Sequence, residues 1–307
     1  MLTKFLESWS GKVTEKWQVG VFLPPLLFWS GGFCVYVWRY GWQHVVTSWA
    51  ALSESVQILL GLMAVLVLLL TSALAEAFDL RILRLLEGYW PRPLSRVRRW
   101  ALARQEAGYA RENVRYQELS SRVEALNGEE LAELTRIEGK LRRIPTDPEL
   151  RMPTRVGNIL RAAELRPGEK YGLNSMVCWP RLWLLLPDSA TQQLVEARTS
   201  LDVPVRACFF ALLFLVWAVW EKWVVPLSLL SVLLAWQRIV DAAEVYADIQ
   251  ESIFDDYRGL LYKALRWPLP ANPQAELDAG QLISAYLWRG SDDTTPTFTT
   301  PHADPPH

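Results

Sequence analysis

This chain is poor in the residues that most often do chemistry at neutral pH. Its 307 residues include three histidines, His44, His302 and His307, and three cysteines, Cys34, Cys178 and Cys208. Histidine is the side chain whose ordinary pKa lies near neutrality. With two of the three in the last six residues and His44 in a predicted outer loop, no histidine-based acid–base pair can be placed in a water-facing domain. An odd number of cysteines beside apolar stretches fits neither a disulfide framework nor a zinc spacing. The glycine pairs match no phosphate-cradling loop. A formal net charge of −1 gives no overall field that favours nucleic acid. The sequence therefore predicts a protein that is not an enzyme and has no cofactor and no metal.

Charge is also missing where it matters most. Twenty consecutive residues, 56–75, carry none and are mostly Leu, Val, Met and Ala. A hydrocarbon core of about 30 Å takes roughly 20 apolar helical residues. Arg81, Arg84, Arg92, Arg96, Arg98 and Arg99 follow within the next thirty positions, and arginines cluster on the cytoplasmic side of a span. Residues 19–38 form a second candidate, interrupted by Pro24, Pro25 and the pair Gly31-Gly32, which should bend it. Lys4, Lys12 and Lys16 precede it, and 40–55 has no Lys or Arg, so the N-terminus is expected inside and this loop outside.

The third apolar region is split by Glu221-Lys222. Read as one tilted helix, it would bury both charges at mid-membrane, at a cost of at least ~2.5 kcal/mol each. Read as a hairpin, 203–220 and 224–240 each span, Arg206 and Arg238 snorkel to the interface, and Pro226 sits in a first helical turn. The hairpin is the expectation. It gives an all-α integral membrane protein with four transmembrane helices in two pairs and both termini cytoplasmic. The order of parts is an amphipathic N-terminus (1–18) that does not read as a signal peptide, a transmembrane pair (19–78), a basic helical module (79–202), a hairpin (203–240), an acidic-striped helix with a short helix (241–289), and a disordered tail (290–307).

The module holds 21 of the 32 Lys and Arg. Within 94–126 an apolar row runs through Leu102, Tyr109, Tyr116 and Val123, but Gln105 and Glu112 stand where its companion row should be apolar. A second helix should start at Asn127 with Glu130 in a capping box, and a third should run from Thr154 to Gly168. Residues 173–187 are too short to span and are broken by Pro180. Trp179, Arg181 and Trp183 there could lie in the inner headgroup layer, or the segment could be domain core. The six arginines from Arg81 to Arg99 pose the same choice between lipid or partner contact and a topological signal.

Beyond the last span, at 100° per residue, Asp241, Glu244, Asp248, Glu251 and Asp255 fall within about 80° of arc. Such a stripe can be a solvated face, a surface that docks on the arginine-rich module, or a divalent-cation site.

The blocks PTRVGNILRAAE (153–164), YGLNSMVCWPRLW (171–183) and LRWPLP (265–270) resemble a family of bacterial multi-pass membrane proteins to which no activity is assigned. That resemblance implies a bacterial inner membrane. The order of parts is also similar to that of the bestrophin anion channels, at the level of topology alone. Two functions are expected from these features. One is an oligomeric ion pathway or membrane effector gated by cytoplasmic helices. The other is a membrane-anchored scaffold whose basic module binds a protein partner or anionic lipid. Membrane lipids and further copies of the chain are the expected partners, and nucleic acid is not.

Overall fold

A computed structural model of the chain describes residues 13–299; the expectations for Lys4, Lys12, His302 and His307 lie outside that range. Among the described residues the chain is all-helical, without strands. The α-helices are α1 (Val13–Tyr40), α2 (Trp42–Ala50), α3 (Glu54–Glu87), α4 (Ser95–Ser120), α5 (Gly128–Arg142), α6 (Arg155–Tyr171), α7 (Ser175–Trp183), α8 (Asp188–Leu213), α9 (Val224–Ala264) and α10 (Pro273–Arg289). They divide into two compact units, Met1–Leu85 with Thr199–Asp241 and Leu86–Arg198 with Ala242–His307.

In the first unit, α1, α3, α8 with the 3-10 turn that extends it, and α9 are long and apolar enough to cross a membrane. On α3 the side chains of Ile58, Leu59, Leu62, Val65 and Leu66 are each more than half exposed. So large a continuous apolar surface is the pattern of a protein solvated by lipid. Helix α1 runs unbroken through Pro24 and Pro25. Its Gly31-Gly32 pair is where the neighbouring chain comes closest. A Cβ on Gly31 would lie 2.6 Å from the Phe214 ring, and one on Gly32 would lie 2.4 Å from Trp217. Phe28, Ala75 and Phe210 form the buried centre of this contact.

The split at Glu221-Lys222 separates two helices: α8 tightens into a 3-10 turn over Phe214–Val219, and α9 starts at Val224. Ser228 Oγ donates to the carbonyl of Ala211 across the turn, which leaves neither group unsatisfied among apolar side chains. The expected outer loop at 40–55 differs from the structure, where α2 occupies Trp42–Ala50. Among the described residues no side chain caps that helix; Gly41 precedes it at φ 85°, so its start carries no capping signal.

In the second unit, Asn127 Oδ1 accepts from the Glu130 amide at 2.9 Å and Glu130 Oε2 accepts from the Asn127 amide at 3.1 Å, closing the capping box of α5. The end of α4 packs on α5, with Leu119, Leu134 and Ile137 buried and Tyr116, Leu126 and Leu141 around them, while Val123 of the apolar row is exposed. Thr154 caps α6, which passes the expected end at Gly168 and stops at Tyr171, where Gly172 takes the left-handed conformation at φ 69°. Helix α10 crosses there at backbone contact, since a Cβ on Gly280 would meet the Tyr171 carbonyl at 1.9 Å. The core joins α7, α9 and α10 through Cys178, Leu182, Phe254, Tyr262 and Ile283. In the tail, Phe298 lies 6.0 Å from the Trp267 ring and 6.2 Å from Tyr286, and the Thr299 amide donates to the Arg266 carbonyl at 2.8 Å. One aromatic anchor offsets a composition that otherwise reads as unfolded.

Candidate functional site

Helix periodicity puts the acids of α9 on one face, and the second unit lays cations along it. Arg155 meets Glu244 at 2.8 Å, Arg143 meets Asp248 at 2.6 Å, and Lys170 meets Asp255 at 3.1 Å. Glu251 is held twice, by Arg142 at 2.6 Å and Arg166 at 3.9 Å. Asp241 is exposed and makes no ion pair within 4 Å among the described residues. The rungs differ in weight. Glu244, Asp248 and Asp255 are a third to a half exposed, where an ion pair contributes roughly 0–1 kcal/mol. Glu251 is 3% exposed, so its charge depends on those two guanidiniums. The hydrogen bond to Glu251 raises the already high pKa of Arg142. Among the described residues no group of three or more His, Cys, Asp or Glu is placed to hold a metal ion.

Tyr171 closes the ladder, its hydroxyl donating to Asp255 Oδ1 at 2.6 Å. Burial, and then that hydrogen bond, push its phenol from 10.0 up to about 12. A phenol that ionises later in the folded than in the unfolded state holds its proton more tightly when folded. Its stabilisation is complete below pH 10 and is lost as pH rises through 10 toward about 12. Alkaline unfolding followed by circular dichroism should therefore show stability falling over that interval. The fall should be shallower in Tyr171→Phe, and an identical slope would exclude this role for Tyr171.

Arg81, Arg84, Arg92, Arg96, Arg98 and Arg99 are all exposed, and the Arg81 guanidinium lies 5.0 Å from the Phe78 ring centroid. Leu94, Val97 and Trp100 are exposed beside them. Trp179 and Trp183 pack on the core of the second unit, the Trp179 ring 5.5 Å from that of Phe254. Arg181 is exposed and donates to the Val177 carbonyl.

Two buried arginines went unrecognised at the level of sequence. Arg206 does not snorkel. It is 5% exposed, its Nε donates to Asp79 at 2.8 Å and 2.9 Å, and its Nη1 donates to the Gly20 carbonyl at 3.3 Å. A guanidinium pressed against apolar helices is tolerable with a carboxylate 7% exposed beside it and each of its nitrogens donating to an oxygen. The signal lay in an acid and a base that each border an apolar run, 127 residues apart. Arg151, 6% exposed, donates to the carbonyls of Pro145 and Thr146, pairs with Glu106, and stacks 3.7 Å above the Tyr109 ring. It pins the loop between α5 and α6 to α4. Near Arg206, α1, α8 and α9 line an open apolar groove of about 790 Å³, with Ser228 and Ser231 as its polar side chains among the described residues.

No family model, curated protein or solved structure matches the chain. The reading of its function rests on the geometry above.

Proposed function

We propose that this is a non-enzymatic protein of a bacterial inner membrane, with both termini inside, that assembles as an oligomer and provides or controls an ion pathway under the command of its cytoplasmic helices. One observation carries the reading: α9 supplies apolar residues to the first unit and, further along, the acidic face held by the cations of α5 and α6. A contact made of several weak rungs around one buried carboxylate can hold two arrangements within a few kcal/mol of each other, which is what a gate needs. The apolar wall of α3 supports a lipid-facing role for that helix. A conducting surface fits better with α1, α8 and α9, where Ser228 and Ser231 break an apolar lining.

Purified full-length protein in liposomes tests the proposal. Ion flux should appear and should rise in Glu251→Gln, which removes the charge at the centre of the ladder. No flux under any applied voltage or pH, with the oligomer intact by native mass measurement, would overturn it. The exposed arginines 81–99 beside Leu94, Val97 and Trp100 favour a second reading, a scaffold anchored on anionic lipid or a protein partner.

A further inference from the structure

The polar interruptions in the apolar row of α4 have a structural reason. Gln105, Gly108 and Glu112 are spaced three and four residues apart, so they share one face of α4, and that face lines a cleft of about 780 Å³ walled by α4, α5 and the start of α6. The size is that of a small-molecule pocket. Five cations line it: Arg111, Arg136, Lys140, Arg143 and Arg155. Only two carboxylates do, Glu112, paired with Lys140 at 2.6 Å, and Glu244, paired with Arg155. The excess is three positive charges in a concave site, where low-dielectric walls concentrate the field.

Two further observations point to a ligand. Nη1 of Arg143 is buried and has no hydrogen-bond partner among the described residues, while Nη2 of the same group serves Asp248. A guanidinium proton left unpaired is costly, and a small rotation of the group toward the cleft would offer it to an anionic oxygen. The open space of the cleft comes from two glycines on facing helices. A Cβ at Gly108 or Gly139 would meet nothing within 4 Å, so neither glycine is there to let backbones approach. Each lies in a helix, where glycine costs about 1 kcal/mol relative to alanine.

We propose that this cleft binds a small ligand carrying two or more phosphate groups, through Arg111, Arg136, Lys140, Arg143 and Arg155. A single phosphate would leave much of the charge unmatched; a chain of phosphates can reach cations on all three walls. Arg143 and Arg155 are also the partners of Asp248 and Glu244, so ligand oxygens compete with two rungs of the ladder on α9. By linkage, whatever loosens those rungs tightens the ligand. This coupling deepens the gating proposal and rests on it; binding itself does not.

The test is direct binding to the full-length protein in detergent, with inorganic tripolyphosphate and ATP as soluble probes, inorganic phosphate as the single-phosphate control, and cardiolipin vesicles to present two phosphates on a lipid. Either soluble probe or cardiolipin should bind, more than tenfold more tightly than phosphate, and the one that binds identifies the source. Arg136→Gln, at an exposed position without an ion pair within 4 Å among the described residues, should weaken binding about tenfold, as should Gly139→Leu, which fills the cleft and leaves every charge. Glu244→Gln should tighten it by removing a competitor for Arg155. Absence of binding with helix content intact overturns the site, and so does binding indifferent to both Arg136→Gln and Gly139→Leu. Binding that follows these variants while Glu244→Gln changes neither affinity nor ion flux retains the site and rejects its link to gating.

Discussion

Arg206→Met is expected to lower the stability of the protein by about 3–5 kcal/mol, the cost of leaving one member of a buried pair without its counter-charge. Asp79 would remain as a carboxylate that is 7% exposed, with nothing to replace the guanidinium that holds both of its oxygens. The double variant Asp79→Leu/Arg206→Met should recover most of the loss, because two apolar side chains of similar volume suit that environment at least as well as the pair does. Thermal unfolding in detergent distinguishes the outcomes. A single variant melting within about 2 °C of the natural protein would mean that water reaches the pair. Equal losses in the single and double variants would mean that the arginine matters for its packing alone.

The second large effect is expected at the ladder. Converting Asp248 and Glu251 to Lys places two ammonium groups against Arg142, Arg143 and Arg166. Repulsion then replaces attraction at a position 3% exposed, where solvent screens little. Amide exchange over α5, α6 and the second half of α9 should accelerate roughly 10- to 100-fold, equivalent to about 1.4–3 kcal/mol of lost protection. Asp241→Lys, at an exposed residue outside the ladder, should change nothing and serves as the control. Unchanged exchange in the double variant would reduce the ladder to a solvated face.

The features legible in the sequence are those whose cause is local or periodic. A bilayer imposes length and composition on each span, so 56–75 declares itself without reference to any other residue. The capping box of Asn127 and Glu130 needs two residues three apart, and the acidic face of α9 needs only the helical repeat. The partners of that face were hidden because they come from two helices 84–109 residues away, where no periodicity reaches. Arg206 was misjudged for the same reason. An arginine at the edge of an apolar run can snorkel or pair, and Asp79 is 127 positions distant. Helix α2 was missed because Gly41 gives no capping signal, and the packing of 291–299 because Phe298 alone offsets its Thr, Pro and Asp. The cleft left a trace in Gln105 and Glu112, which read as flaws in a heptad until α5 and α6 are seen to leave that face open.

The placement of the sulfur atoms decides how the sidedness of this chain can be probed. Cys178 is fully buried, and its burial pushes the thiol pKa upward, which starves any alkylating reagent of thiolate. Cys208, on α8, is 2% exposed. Cys34 is exposed on α1, a helix long and apolar enough to cross a membrane. With α1 in lipid, a water-soluble maleimide should leave the unaltered chain unlabelled. A single cysteine at Glu221 or Asp256 would report from which side of the membrane it is reached.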